Sequence, residues 1–204
     1  VLLSSVDNPP KRLVITSMSP QEGKTTTVIN LGRSVAQTGR RVLLVDADLR
    51  RPRLHKTFGL DNNSGLSTFL TGTSAPVSPQ ESDEPNLAVL TAGPIQPNPS
   101  EIVGSSRFAE LLTRLDEDFD MVIIDTPPVL SATDAQLISR LAEGVIVICF
   151  FAKTTYDRLQ RGIRSLREID SPLLGLVLNS MDMKKSNYYS HYGYYQYYAA
   201  EKEE

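Results

Sequence analysis

A loop in which glycine and lysine are followed by two threonines has the clearest chemistry in this sequence. It lies at residues 16–26 and reads Thr-Ser-Met-Ser-Pro-Gln-Glu-Gly-Lys-Thr-Thr. Gly23 lets the backbone approach an anion closely, Lys24 brings an ammonium group to phosphate oxygens, and the Thr25 hydroxyl is a suitable ligand for Mg²⁺. The pattern predicts a site for the phosphates of a nucleotide. The predicted contact residues are Ser19, Pro20, Gln21, Glu22, Gly23, Lys24, Thr25 and Thr26.

The loop departs from the common phosphate-binding pattern at one position. That pattern has glycine five residues before Gly23, where this sequence has Met18. An ordinary helix start would be enough to account for Gly-Lys-Thr taken alone. However, an apolar run at 13–15 precedes the loop, and apolar residues at helical spacing follow it over 24–38. A loop between a strand and a helix presents free amide groups to an anion, so the context favours a nucleotide site.

Three carboxylates directly follow apolar runs of the kind that form buried strands. Asp46 and Asp48 follow one run, and Asp125 follows another. Mg²⁺ prefers oxygen ligands and water, so Thr25, two phosphate oxygens and water held by Asp46 and Asp125 would complete its coordination. A helix cap or a turn would be enough to account for any single Asp. Three acids at two strand ends, together with a phosphate loop, favour a metal–nucleotide site.

Short apolar strands alternate with amphipathic helices along the chain. Strands are predicted at 13–15, 41–45, 87–90, 121–124, 145–150 and 174–178, and helices at 24–38, 108–115, 134–141 and 159–169. The strands are apolar throughout, as expected where helices cover both faces. This order predicts an α/β fold with a doubly wound, mostly parallel sheet, whose ligands bind at the carboxyl ends of the strands. The Ser-, Thr- and Pro-rich stretch 71–85 is predicted to be a surface loop.

The composition narrows the class of protein. The chain has 204 residues, 40% of them hydrophobic, which suits a single domain with a sizeable core. A net charge of −3 argues against a duplex-DNA surface, and no nucleic-acid partner is expected. The single cysteine, Cys149, excludes a disulfide within the chain and suits a reducing compartment. No apolar run reaches the length of a membrane span, so we expect a soluble chain, and its start at Val1 without Met suggests an upstream segment.

A tyrosine-rich stretch closes the sequence. Seven of the eight tyrosines lie in it: Tyr188, Tyr189, Tyr192, Tyr194, Tyr195, Tyr197 and Tyr198. The run has no helical or strand period that would bury one face. One interpretation is an adhesive or β-prone aromatic segment. The other, which the phosphate loop favours, is a cluster of phosphate acceptors in a flexible tail that reaches an active site.

Taken together, these features resemble the bacterial tyrosine kinases, which are autokinases that regulate capsule and exopolysaccharide synthesis and export. The segments 17–25, 46–52 and 125–128 and the tyrosine-rich end carry the resemblance, which covers essentially the whole chain. It implies a P-loop NTPase fold related to the partition and septum-placement ATPases. It also implies a kinase domain over 1–186 and a flexible acceptor tail over 187–204.

The resemblance assigns roles to individual residues. Asp48 would accept the proton of the incoming tyrosine, with Lys24 and Asp46 as the other catalytic residues. Asn179 would bind the adenine edge of ATP, and Arg50 would lie near the active site or a subunit contact. The family normally has glycine where Gln21 stands, and its ring-assembly helix normally lies just before the segment that begins here.

The resemblance also implies partners and a location. The cofactors would be ATP and Mg²⁺. The partners would be a membrane-embedded activator that is fused or separate, further copies of the chain in self-association such as a ring, and a protein-tyrosine phosphatase. The location would be the cytoplasmic face of the inner (plasma) membrane. The runner-up function is a partition-type ATPase switch without kinase activity, and a third is a scaffold that binds nucleotide without catalysis.

Two groups of basic residues have open interpretations. Arg50, Arg51, Arg53, His55 and Lys56 form a cluster that is either a solvated loop or a contact for phosphate or a neighbouring tail. Arg158, Arg161, Arg164 and Arg167 recur along a predicted helix as a solvated face or a surface for a partner or anionic lipid. His55 has no second His or Cys at zinc-ligand spacing, so it is not predicted to bind metal.

Overall fold

The computed structural model of the chain describes residues 9–73 and 78–181. Its strands are β1 (Arg12–Ser17), β2 (Val42–Asp46), β3 (Gln80–Glu81), β4 (Leu87–Leu90), β5 (Met121–Asp125), β6 (Gly144–Phe150) and β7 (Leu173–Asn179). Its helices are α1 (Lys24–Ala36), α2 (Leu54–Phe58), α3 (Leu66–Leu70), α4 (Pro99–Val103), α5 (Ser106–Asp118), α6 (Asp134–Ser139) and α7 (Tyr156–Arg167).

The strands form one seven-stranded sheet in the order β3-β4-β2-β5-β1-β6-β7. All neighbouring pairs run parallel except β3 and β4, which are antiparallel. The carboxyl ends of β1, β2 and β5 therefore meet at one edge in the middle of the sheet. Because open parallel sheets bind ligands at that edge, the predicted phosphate loop and the predicted acids are brought to one place.

Helices cover both faces of the sheet, which confirms the predicted doubly wound α/β fold. On one face α1 and α2 pack through a cluster that includes Val28, Ile29 and Leu54. On the other face α3 to α7 pack through a larger cluster that includes Phe108 and Leu112. Both clusters are almost fully removed from water, so the sheet is a rigid support for the loops at its edge.

Two expectations about the strands are wrong. Part of the predicted surface loop 71–85 is the short strand β3, which pairs antiparallel with β4. The expectation that helices cover both faces of every strand is wrong for β7 at the sheet edge, where Leu176 and Leu178 are 50% and 53% exposed. A strand at an edge has a neighbour on one side alone, so an apolar sequence does not guarantee burial there. The short helices α2, α3 and α4 have too few turns for a periodic signal and are not predicted by the sequence.

Within the described ranges 9–73 and 78–181, no helix is long and apolar enough to cross a membrane. The predicted tail residues 187–204, including all seven clustered tyrosines, lie outside the described residues.

Candidate active site

A crevice of about 480 Å³ opens at the carboxyl ends of β1, β2 and β5. Three segments line it: the phosphate loop, the loop after β2, and the loop after β5. The lining residues are Pro20, Gln21, Gly23, Lys24, Thr25, Thr26, Asp48, Arg50, Arg51, Arg53, Pro127, Pro128 and Ser131. Four cationic side chains and one acidic side chain therefore surround a cavity of the size that small-molecule ligands occupy.

The phosphate loop has the backbone that an anion cradle needs. Gly23 has φ +95° and stands immediately before α1, whose first residue is Lys24. The positive φ favours glycine, and a Cβ atom there would lie 2.0 Å from the Asn179 side-chain nitrogen and would displace that carboxamide. Gln21 also has positive φ, at 64°. A residue with a side chain is sterically disfavoured in that region, so glycine would adopt this backbone with less strain.

Glu22 turns its carboxylate into the protein instead of the crevice. Its Oε2 accepts hydrogen bonds from the amides of Met18 and Ser19 at 2.8 and 2.9 Å. Its Oε1 accepts one from the Thr154 hydroxyl, in the loop after β6. The carboxylate thus holds the curvature of the loop from inside the protein. One of the amides that it binds belongs to Met18, the position where the common pattern has glycine.

Asn179, at the end of β7, has both ends of its carboxamide engaged within the protein. Its Nδ2 donates to the Glu22 carbonyl at 3.0 Å, and its Oδ1 accepts from the Ser180 amide at 2.8 Å. The side chain therefore joins the end of β7 to the phosphate loop and does not line the crevice. Its predicted contact with adenine remains a prediction.

Asp46 and Asp125 stand side by side behind the phosphate loop. They are paired in the parallel register of β2 and β5, and both are almost fully buried. The Thr25 hydroxyl donates to Asp125 Oδ2 at 2.6 Å, and the amides of Arg53 and Leu54 donate to Asp46 Oδ2 at 2.9 Å. Among the described residues, the Oδ1 atom of each Asp is buried without a hydrogen-bond partner.

The two orphaned carboxylate oxygens and the Thr25 hydroxyl fit a hard cation such as Mg²⁺, because it takes oxygen ligands and keeps several waters. No group of three or more His, Cys, Asp or Glu residues within 9–73 and 78–181 forms a metal-binding set. The two Asp oxygens and the Thr25 hydroxyl would leave further positions around such a cation for phosphate oxygens and water.

Burial raises the pKa of both carboxyls. The pKa of Asp46 rises to about 8, through desolvation first and through the neighbouring charge of Asp125 second. The pKa of Asp125 rises to about 6 because of desolvation, which the charge of Lys24 and the Thr25 hydrogen bond partly oppose. A divalent cation would reverse this balance by favouring the ionised carboxylates.

Replacing Asp46 with asparagine should stabilise the metal-free protein at neutral and higher pH. The folded pKa lies above the ordinary value of 3.8, so ionisation favours the unfolded state and the contribution of Asp46 to stability falls as pH rises from about 4 to about 8. Asparagine retains an oxygen that accepts the Arg53 and Leu54 amides and carries no charge. Thermal denaturation in a chelator should show a melting-temperature advantage for Asp46→Asn that grows over that pH range. An advantage that does not change with pH would contradict a strained, buried carboxylate.

Asp48 belongs to the loop after β2 and faces the crevice. The Arg51 amide donates to Asp48 Oδ1 at 3.0 Å and to the Asp48 carbonyl at 3.1 Å, so the carboxylate closes a turn. The side chain lies at the partly exposed crevice wall, whereas Asp46 and Asp125 are buried behind it. Of the three acids, Asp48 is therefore the one that a ligand in the crevice can reach.

Comparison with known proteins decides the family. A family model described as an AAA domain matches residues 14–173. The chain is 42% identical over 191 residues to the tyrosine-protein kinase YwqD of Bacillus subtilis (strain 168). The matched region spans 93% of this chain and 81% of the relative. The chain belongs to the bacterial tyrosine kinases. It is a protein-tyrosine kinase, and the predicted resemblance is confirmed.

Solved structures agree with this family. The kinase domain of the Escherichia coli tyrosine kinase ETK superposes with a TM-score of 0.83 at 32% identity, over 86% of this chain and 69% of that chain. A more distant likeness is cobyrinic acid a,c-diamide synthase from Mycobacterium smegmatis, solved with an ATP analogue and magnesium. It has a TM-score of 0.68 at 27% identity, over 81% of this chain and 72% of that chain.

The kinase fold brings most of the predicted site residues together. Pro20, Gln21, Gly23, Lys24, Thr25, Thr26 and Asp48 line the crevice, and Asp46 and Asp125 lie directly behind it. Ser19, Glu22 and Asn179 do not line it and instead shape the loop through hydrogen bonds within the protein. The seven clustered tyrosines lie outside the described residues.

Sequence reasoning missed several residues that support the kinase site. Thr154 holds Glu22, and Ser100 and Asp134 hold Arg50. None of the three lies in a motif, and each is at least 50 positions from its partner, so no local spacing points to it. The basic cluster after β2 is visible in the sequence, and three of its members, Arg50, Arg51 and Arg53, line the crevice.

Proposed function

We propose that this kinase transfers the γ-phosphoryl group of Mg-ATP to tyrosines of its own C-terminal cluster. The observation that carries the proposal is Asp48, a carboxylate at the crevice wall beside the phosphate loop. Its position in front of the buried Asp46–Asp125 pair supports a division of roles between proton acceptor and metal support. The ATP analogue and magnesium bound by the M. smegmatis synthase support the choice of nucleotide and cation.

In the proposed reaction, a tyrosine oxygen attacks the γ-phosphorus, the bond from that phosphorus to the bridging oxygen breaks, and ADP leaves with the bond electrons. Asp48 accepts the tyrosine proton, while Lys24 and the free amides of the phosphate loop stabilise the charge on the transferring group. Bound Mg²⁺ would neutralise charge on the β- and γ-phosphate oxygens. Thr25, Asp46 and Asp125 are the residues that would hold it and its waters.

The wider setting of the kinase is also a proposal. The resemblance supports regulation of polysaccharide synthesis and export at the cytoplasmic face of the plasma membrane. It further supports a membrane-embedded activator, fused or separate, self-association, and a phosphatase that resets the tyrosine cluster. Each phosphate adds about −1.5 to −2 charges at neutral pH, so accumulated phosphates would repel one another. The negative charge of the cluster would therefore rise stepwise with the number of modified tyrosines.

Changing all seven clustered tyrosines to phenylalanine should remove the phosphotyrosine signal that forms with Mg-ATP. Phenylalanine keeps the aromatic bulk and removes the acceptor oxygen, so nucleotide binding should stay unchanged. The measurement is an anti-phosphotyrosine blot, with mass spectrometry to locate the modified residues. Tyr156→Phe is the matched control, because Tyr156 is 74% exposed on α7 and lies outside the cluster. A signal that persists in the seven-site variant, or disappears in the control, would place the acceptors elsewhere.

A further inference from the structure

A buried carboxylate behind the crevice has no role in the proposed chemistry. Asp134 is the first residue of α6 and is fully buried. Its two oxygens each accept a hydrogen bond from the Arg50 guanidinium, Oδ2 from Nε at 2.9 Å and Oδ1 from Nη2 at 3.1 Å. The Ser100 hydroxyl, on α4, also donates to Asp134 Oδ1 and accepts from Arg50 Nη2. A charge removed from water this completely requires such partners, so the arrangement is energetically demanding and geometrically strict.

The hydrogen bonds between Arg50 and Asp134 hold the loop that carries Asp48 in place. That loop runs from the end of β2 to the start of α2, and three carboxylates hold it. Asp46 accepts the amides at its far end, and Asp48 accepts the amide of Arg51. Both of these acids belong to the same stretch of chain as the loop. Asp134 is the carboxylate that ties the loop to a different part of the fold, the wall formed by α4 and α6.

Arg50 has another carboxylate within electrostatic reach. Asp48 stands two residues before it. The hydrogen bond to Asp134 is the main cause of the raised pKa of Arg50, and the negative charges of Asp134 and Asp48 add to it. Two of the guanidinium nitrogens are directed to Asp134 and Ser100. Among the described residues, Asp48 forms no ion pair with Arg50 and accepts only the Arg51 amide. The hydrogen-bonding nitrogens of the guanidinium are therefore directed to Asp134 and Ser100 and not to Asp48.

We propose that Asp134, together with Ser100, is a positioning residue for phosphoryl transfer: it holds Arg50 aside and fixes the loop so that Asp48 stays open to the tyrosine. The inference rests on the proposed role of Asp48 and adds residues from α4 and α6 to the kinase site. It involves no contact of Asp134 with nucleotide, because Asp134 does not line the crevice.

Asp134→Asn in the full chain should slow phosphotyrosine formation at saturating Mg-ATP by about 10- to 100-fold, since small misplacements of catalytic groups have effects of that size. The ATP concentration for half-maximal rate should change less than about threefold, because the phosphate loop is untouched. Ser100→Ala is the second variant. It keeps the Arg50–Asp134 ion pair and loses hydrogen bonds to it, so it should fold and slow the reaction by a smaller factor.

Asp116→Asn is the matched control. Asp116 is a partly buried acid at the amino ends of the strands, where the Arg12 Nε lies 3.0 Å from its Oδ2. Asp116 does not line the crevice, so its replacement should not slow phosphoryl transfer. Hydrogen exchange adds a readout that does not depend on activity: amides 47–54 should exchange faster in Asp134→Asn and at the wild-type rate in Asp116→Asn. Equal exchange in both variants would overturn the inference even in an inactive preparation.

A double variant separates positioning from simple stability. If Asp134 acts through Arg50, adding Asp134→Asn to an Arg50→Gln chain should reduce the rate little further. A loss equal to the product of the two single effects would overturn the proposal. A wild-type chain that forms no phosphotyrosine would contradict the proposed function, whereas an active wild type whose rate is unaffected by Asp134→Asn and Ser100→Ala would contradict this inference alone.

Discussion

Replacing Asp48 with asparagine should abolish measurable phosphotyrosine formation while ATP affinity stays within about threefold of wild type. The asparagine oxygen still accepts the Arg51 amide, so the turn after β2 is preserved. What is lost is the capacity to take the tyrosine proton. General-base catalysis contributes about 10²- to 10⁴-fold, which sets the expected loss in rate.

The measurement pairs a phosphotyrosine time course with calorimetric titration of ATP in the presence of Mg²⁺. Asp61→Asn is the control, because Asp61 Oδ2 accepts the Asn63 amide in an exposed turn that does not line the crevice. Undiminished phosphotyrosine in Asp48→Asn would remove Asp48 from the role of base. A parallel loss of ATP binding would assign it to the nucleotide instead.

Replacing Lys24 with methionine should weaken Mg-ATP binding at least about 100-fold, equivalent to about 2.7 kcal/mol, and eliminate phosphotyrosine as a consequence. Lys24 is nearly buried at the first position of α1 and is the lysine that lines the crevice. It also lowers the pKa of Asp125, so its removal takes away a charge that both the phosphates and the buried acid require.

Titration calorimetry of the Lys24 variant should be compared with Lys11→Met. Lys11 precedes β1 at the amino ends of the strands, away from the crevice, and its ammonium donates to the Asp116 carbonyl. The control should bind Mg-ATP as tightly as wild type. Near-normal ATP affinity in Lys24→Met would contradict a phosphate-binding role for the loop and would weaken the entire assignment of the crevice.

The parts of the site that follow local rules are predictable from the sequence. Glycine, lysine and threonine at a strand-to-helix junction, combined with aspartates at the ends of apolar strands, are typical of a metal–nucleotide site. Because parallel strands bring their carboxyl ends to one edge, Asp46, Asp48 and Asp125 are expected to converge. The sheet register, in which Asp46 lies opposite Asp125, agrees with that expectation.

Other features depend on contacts that no local pattern records. Glu22 belongs to the phosphate loop by sequence, yet its carboxylate points inward because two amides and Thr154 satisfy it there. Asp134 and Arg50 are 84 positions apart, so their pairing follows from the packing of α6 beside the loop after β2. Likewise, an apolar strand has the same sequence pattern at an edge as at the centre of a sheet, so the pattern does not predict the exposure of β7.

The most direct test of autophosphorylation is to incubate the purified chain with ATP and Mg²⁺ and map phosphotyrosine by mass spectrometry, with nucleotide hydrolysis followed in the same samples. We expect phosphate on tyrosines between Tyr188 and Tyr198, dependent on Mg²⁺ and absent from the Lys24 and Asp48 variants. Hydrolysis of ATP without any phosphotyrosine would contradict the proposed function and would favour an ATPase switch built on the same crevice.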